Sequence, residues 1–152
     1  MEIRGLVEKD MPKALALVLE VFMAYEEPEY SKEGVETFTQ CAKDPSWVKS
    51  LKFYGAYKDD EIVGVIATRN NGNHIALFFV KGECHKQGIG RKLFEEVVKN
   101  NKGNAITVNS SPYAVGIYEH LGFSKLQEEQ LADGIRYTPM VFRINKRELY
   151  HK

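Results

Sequence analysis

Residues 85–93, His85-Lys86-Gln87-Gly88-Ile89-Gly90-Arg91-Lys92-Leu93, set two glycines among side chains that carry or can acquire positive charge. Four residues separate His85 from the end of the apolar run Phe78-Phe79-Val80. A strand that hands the chain through a glycine loop into a helix leaves the first helical amides without partners, at the positive end of the helix dipole. Such a site binds phosphate oxygens. Gly88 and Gly90 would let the backbone approach a pyrophosphate with no side chain in the way, and Lys86, Arg91 and Lys92 add charge for the remaining phosphates. Two nucleotide motifs are excluded. There is no Gly-Lys-Ser/Thr, so this is not a Walker A loop. Leu93 stands where a dinucleotide fingerprint has its third glycine, and the loop follows a late strand.

The other reactive side chains form no such constellation. Cys41 and Cys84 lack metal-ligand spacing and are too few for a disulfide framework, which leaves two free thiols in a reducing compartment. No His/Cys/carboxylate group has ligand spacing, so no metal is expected, and no nucleophile elbow supports a Ser-His-Asp arrangement. His120, on a helix face, and His151, in the tail, receive no role.

The elements that position the loop follow from periodicity. Glu2 to Val7 alternates as a first strand. Asp10 can cap a helix beginning at Met11 and Pro12, with Leu15, Val18, Leu19 and Phe22 as its buried face, ended by Glu26-Glu27-Pro28. Ser31 can cap a second helix carrying Val35, Phe38 and Ala42, ended by Asp44-Pro45. Lys52 to Tyr57 and Ile62 to Thr68 make a hairpin about a polar turn. After the Asn70 to Asn73 turn, Ile75 to Val80 reads as a central strand covered on both faces. A helix from about Gly88 to Asn100 follows, with Leu93, Val97 and Val98 inward. Ala105 to Val108 is a strand, and Pro112 to Leu121 a helix stopped by Gly122. Ser124 to Gln130 and Ile135 to Ile144 are the last strands. The order β-α-α-β-β-β-α-β-α-β-β predicts an α/β fold, a mixed sheet with helices on its faces, as one domain over residues 1–152.

Val80 to Leu93 resembles the acetyl-CoA-binding motif of the GNAT superfamily of N-acetyltransferases: a strand ending in Val, four residues, Arg or Gln, two residues, Gly-x-Gly/Ala, then a helix. Asn109-Ser110-Ser111-Pro112-Tyr113-Ala114 and Tyr118-Glu119-His120-Leu121-Gly122-Phe123 resemble the family's later strand and its Tyr-x-x-Leu-Gly-Phe helix end. The element order agrees over essentially the whole chain. One position departs: His85 stands where the family has Arg or Gln, and a histidine is shorter and only partly charged near neutrality.

The resemblance implies transfer of an acetyl group from acetyl-CoA, as co-substrate, to a primary amine of a small molecule or peptide. It places Tyr118 near the CoA sulfur, as hydrogen-bond donor to the leaving thiolate, and Asn109 at the pantetheine arm or the helix backbone. In the family the strand ending at Val80 splays from the strand carrying Asn109. Pantetheine would then pair along Phe78, Phe79 and Val80, and the Val80 N–H would serve the oxyanion. For the base, His74 stands six residues before Val80, where some members place a glutamate or histidine. Residues 74, 76, 78 and 80 of a strand share a face, and an ordinary histidine pKa of about 6.5 suits the task. Glu26, Glu27 and Glu29, in a loop that borders the acceptor site in the family, are the alternative contacts. A CoA-binding sensor or regulatory module of the same fold, without turnover, is the rival expectation.

Composition restricts partners. Lys plus Arg is 21 and Asp plus Glu is 21, so no basic excess marks a nucleic-acid binder. The apolar stretch Ala14 to Phe22 contains Glu20 and is too short to span a bilayer, which takes about 20 apolar residues. It also lacks a signal-peptide cleavage site. A cytoplasmic location, no membrane association, and a monomer or homodimer are expected.

Overall fold

The computed structural model describes residues 1–144. Strand β1 (Glu2–Gly5) is followed by helices α1 (Met11–Val21), α2 (Lys32–Lys43) and α3 (Pro45–Lys49). Strands β2 (Lys52–Lys58), β3 (Glu61–Arg69) and β4 (His74–Val80) form an antiparallel meander, and α4 (Ile89–Asn100) leads to β5 (Ala105–Ser110). Helix α5 (Val115–Leu121) precedes β6 (Ser124–Lys125), β7 (Gln130–Ala132) and β8 (Ile135–Arg143). The sheet runs β1-β2-β3-β4-β5-β8-β6, with β7 added to β8. Only β4 and β5 pair in parallel, which is why a helical crossover, α4, must join them.

Local chemistry sets most boundaries. Ser31 accepts the Gly34 N–H at 3.0 Å and opens α2. Asp44 accepts the Ser46 N–H at 2.9 Å and, with Pro45 in the first turn, starts α3, a helix not expected from the sequence. Asp10 does not cap α1; its carboxylate accepts the Val7 N–H at 3.0 Å and closes a short 3-10 turn, Glu8–Asp10. The buried stripe of α1 is Ala14, Leu17, Val18 and Val21, continuing to Phe22, while Leu15 and Leu19 are only half-buried. The expected strand Ser124 to Gln130 is two short strands. Leu126 still donates to the Pro139 carbonyl at 2.8 Å, but Pro139 has no N–H to return, so the ladder ends there.

Two apolar layers flank the sheet. On one face Leu93, Phe94 and Val97 of α4 and Tyr118 of α5 pack with Ile66, Ile106, Phe123 and Met140. On the other, α1 covers Val65, Ala67, Leu77 and Phe79. Phe94 is fully buried where Val98 was expected, and Val98 is half-buried. Strand β4 is not covered on both faces: Ile75, Leu77 and Phe79 are buried, but Ala76, Phe78 and Val80 are half-buried. That half-covered face borders a cleft.

Candidate active site

Strands β4 and β5 pair only at His74–Thr107 and Ile75–Val108. Beyond Ile75 they part, while β4 stays paired with β3 up to Val80. The Lys81 N–H reaches the Val63 carbonyl at 2.9 Å, so strand alternation turns the backbone groups of Phe78 and Val80 the other way, into the gap. A ligand with amide groups could pair there as an added strand.

At the end of β4 the chain makes a 3-10 turn, Gly82–Cys84, and enters α4 through two left-handed residues, Lys86 (φ 66°) and Gly88 (φ 79°). Gly88 takes this conformation at no steric cost. The first amide to find a carbonyl is that of Lys92, bonded to Gly88 at 3.1 Å. The amides of Ile89, Gly90 and Arg91 precede it, at the positive end of α4.

The gap and the helix start share a cleft of about 750 Å³, bounded by Phe78, Phe79 and Val80 on one side and by α5 on the other. His85, Lys86, Gly88, Ile89, Gly90 and Arg91 line it, as does Tyr118. Gln87, Lys92, Asn109 and His74 do not. Gln87 is occupied beside the loop, accepting from Lys58 Nζ at 3.4 Å and donating to the Glu83 carbonyl at 3.3 Å. Lys92 is exposed on α4, and Asn109 is exposed on β5, opposite Pro139 of β8.

His85 faces inward rather than toward the helix start. Its Nε2 donates to the Val80 carbonyl at 2.7 Å, and its ring packs 5.0 Å from that of Tyr25. It ties the loop to the strand end. Tyr118 is buried, its ring 6.0 Å from Phe78 and 5.2 Å from Phe123. Burial, reinforced by the nearby Glu26 carboxylate, pushes the Tyr118 hydroxyl well above the usual phenol range, so it is a neutral donor at any working pH.

His74 lies apart from the cleft. It stands at the opposite end of β4 from Val80, roughly 20 Å away by strand rise, and its Nδ1 lies 2.7 Å from Thr107 Oγ1. Burial and the neighbouring Arg69 lower its pKa from 6.5 to about 4.

On the other wall the sequence offers Glu26 only as an alternative contact in a loop; the turn that carries it and Tyr25 are new. Helix α1 passes into a π-helical turn, Phe22–Glu26, whose extra residue aims Tyr25 and Glu26 into the cleft. A Cβ on Gly82 would overlap the Tyr25 hydroxyl, so the glycine is what admits that side chain. Tyr113 packs 5.9 Å from Tyr25, and Ser111 donates to Glu26 Oε1 at 2.7 Å. Burial, and more weakly Glu29, raise the Glu26 pKa, while the Ser111 hydrogen bond opposes them. His120 also lines the cleft, and its carbonyl accepts from Arg91 Nη2 at 3.3 Å. No group of three or more potential metal ligands occurs among the described residues.

Comparison with known proteins agrees with this geometry. The acetyltransferase (GNAT) domain profile matches residues 26–144. The UPF0157 protein YqkA of Bacillus subtilis is 26% identical over 133 residues, 79% of this chain; the chain spans 38% of that relative's length. A GCN5-related N-acetyltransferase from Rhodopseudomonas palustris superposes with a TM-score of 0.82 at 18% identity, covering 94% of this chain and 95% of that one. The PaiA N-acetyltransferase of Thermoplasma acidophilum, solved with coenzyme A, gives 0.74 at 20% identity, covering 94% and 98%.

Proposed function

Because the chain belongs to the GNAT family of acetyltransferases, we propose that it transfers an acetyl group from acetyl-CoA to a primary amine of a small molecule or peptide. The parting of β4 from β5 beside the bare N-terminus of α4 carries this reading. Together they offer a row of backbone groups for amides and a cluster of N–H donors for a diphosphate, with a 750 Å³ cleft between walls. The PaiA structure, solved with coenzyme A, shares the fold.

Acetyl-CoA, when bound, supplies an activated thioester. The amides of Ile89, Gly90 and Arg91, with Lys86 and the Arg91 guanidinium, would hold the diphosphate. The exposed backbone groups of Phe78 would pair with pantetheine, and the Val80 N–H would serve the acyl oxygen as charge develops there. Tyr118 would hydrogen-bond the leaving sulfur. A phenol held above its usual pKa, about 10, is a weaker acid than a thiol near 8.5, so Tyr118 stabilises the thiolate without surrendering its proton. His85 holds the Val80 carbonyl and thereby the strand end.

The test is release of free CoA from acetyl-CoA with a panel of amines, polyamines, aminoglycosides and peptide N-termini. Amine-dependent release is expected for at least one class. Tight binding of acetyl-CoA with no release by any amine would overturn transfer in favour of a sensor.

A further inference from the structure

We propose that Glu26 accepts the proton of the acceptor amine and that Ser111 positions its carboxylate for the task. The inference rests on the acetyl-transfer reading above.

Three observations converge on this pair. The π-helical turn Phe22–Glu26 interrupts the regular register of α1 and places Glu26 on the wall of the cleft that Tyr118 also lines. A continued α-helix would have rotated that side chain elsewhere. Next, Ser111 sits just past the end of β5, the strand that leaves β4. Its hydroxyl donates to Glu26 Oε1 at 2.7 Å and accepts the Ala114 N–H at 3.3 Å. The Ser111 carbonyl is held as well, by Ser110 Oγ at 2.8 Å and by the Ala114 amide at 3.1 Å. The Ser111 hydroxyl accepts from one backbone amide and gives its hydrogen to the carboxylate. Glu26 thus has one oxygen fixed and its orientation set by a rigid, buried residue 85 positions away. Finally, Glu26 takes part in no salt bridge among the described residues.

The groups facing Glu26 come from every neighbouring element. Glu29 and Tyr30 follow it in the chain, Tyr113 and Ser111 stand on the segment after β5, and Tyr118 projects from α5. Tyr25, on the same turn, packs its ring 5.0 Å from that of His85. Burial and Glu29 favour a protonated Glu26, and only the Ser111 hydroxyl favours the carboxylate. A base must begin ionised, so Ser111 extends its working range to lower pH.

The protons balance. The amine arrives as an ammonium ion; Glu26 takes one proton and passes it to solvent. The nitrogen lone pair forms the C–N bond, and the C–S bond breaks with its electrons going to sulfur. The second nitrogen proton ends on that thiolate, giving an amide, CoA thiol and one released proton.

The experiment uses the full chain with the best amine from the release assay. Glu26→Gln should lower kcat by about 10²–10⁴-fold, leave acetyl-CoA binding within about twofold, and remove the acid limb of the kcat/KM profile. Glu26→Asp should lower the rate and keep the limb. Ser111→Ala should move the acid limb to higher pH, and Ser111→Thr should restore its position, a shift that a packing role for Ser111 would not produce. If Glu26→Gln keeps more than a tenth of the rate, or the Ser111→Ala profile superimposes on that of the unmutated protein, the proposal is wrong while transfer stands. If none of the amines makes the unmutated protein release CoA, both fall together.

Discussion

Tyr118 and His74 were singled out for opposite proton tasks, and their surroundings separate them. Tyr118 is enclosed by Phe78 and Phe123 at the wall of the cleft, whereas His74 is bonded to Thr107 where β4 and β5 still pair. Tyr118→Phe should therefore reduce turnover at every pH, with acetyl-CoA binding retained, since leaving-group stabilisation does not depend on amine ionisation. His74→Ala should leave turnover within about twofold, and its effect should appear in stability. With a folded pKa near 4 against 6.5, the unfolded chain takes up the proton first as the pH falls. The stability tied to neutral His74 is complete above about pH 6.5 and is lost progressively down to about pH 4. Urea midpoints should drop between pH 7.5 and 4.5 by less in His74→Ala than in the unmutated protein. A large rate loss in His74→Ala would contradict this placement. Spacing showed that His74 shares a strand face with Val80, but not that the strands part only after Ile75, which is a tertiary fact.

Among the elements, the loop and start of α4 were the most legible, because glycine placement and charge there are local signals. The π-helical turn was not, since one inserted residue leaves the apolar periodicity of Leu17, Val18, Val21 and Phe22 intact. Glu26 consequently read as a loop residue, and Ser111 as part of a strand end. Helix α3 was missed because five residues give too short a window for a 3.6-residue period, although Asp44-Pro45 carries its start signal. The loop assignment has its own test at Gly90. Gly88 lies at positive φ, so a side chain there would strain the backbone, but a Cβ on Gly90 makes only ordinary contacts, with the Phe78 ring at 3.6 Å and a Val80 methyl at 3.9 Å. Gly90→Val should stay folded, with a melting temperature lowered by a few degrees at most, and should lose acetyl-CoA binding because the side chain occupies the approach to the α4 amides. Undiminished binding in a calorimetric titration would place the diphosphate elsewhere.

At the scale of the whole molecule, the order of strands and helices was readable because each segment's period, 2 or 3.6 residues, agrees with its neighbours' turn chemistry. The sheet order was not, since nothing local says that β8 inserts between β5 and β6. That insertion pairs β5 with β8 along its full length, from Ala105–Arg143 to Ser110–Thr138. Strand β5 is thereby secured on one side while its other side leaves β4, and the sheet itself supplies the Phe78, Phe79 and Val80 wall of the cleft. No helix among the described residues is long and apolar enough to cross a membrane. A cleft built into the sheet should bind without refolding, so a ligand's binding energy should appear directly as added stability. Thermal unfolding with acetyl-CoA at 100 times its dissociation constant should show about 2.7 kcal/mol of stabilisation, a rise in melting temperature of roughly 5–10 °C for a chain of this size. NAD or adenosine at the same concentration should shift it far less, and no shift with any acyl-CoA would contradict the assignment of the cleft.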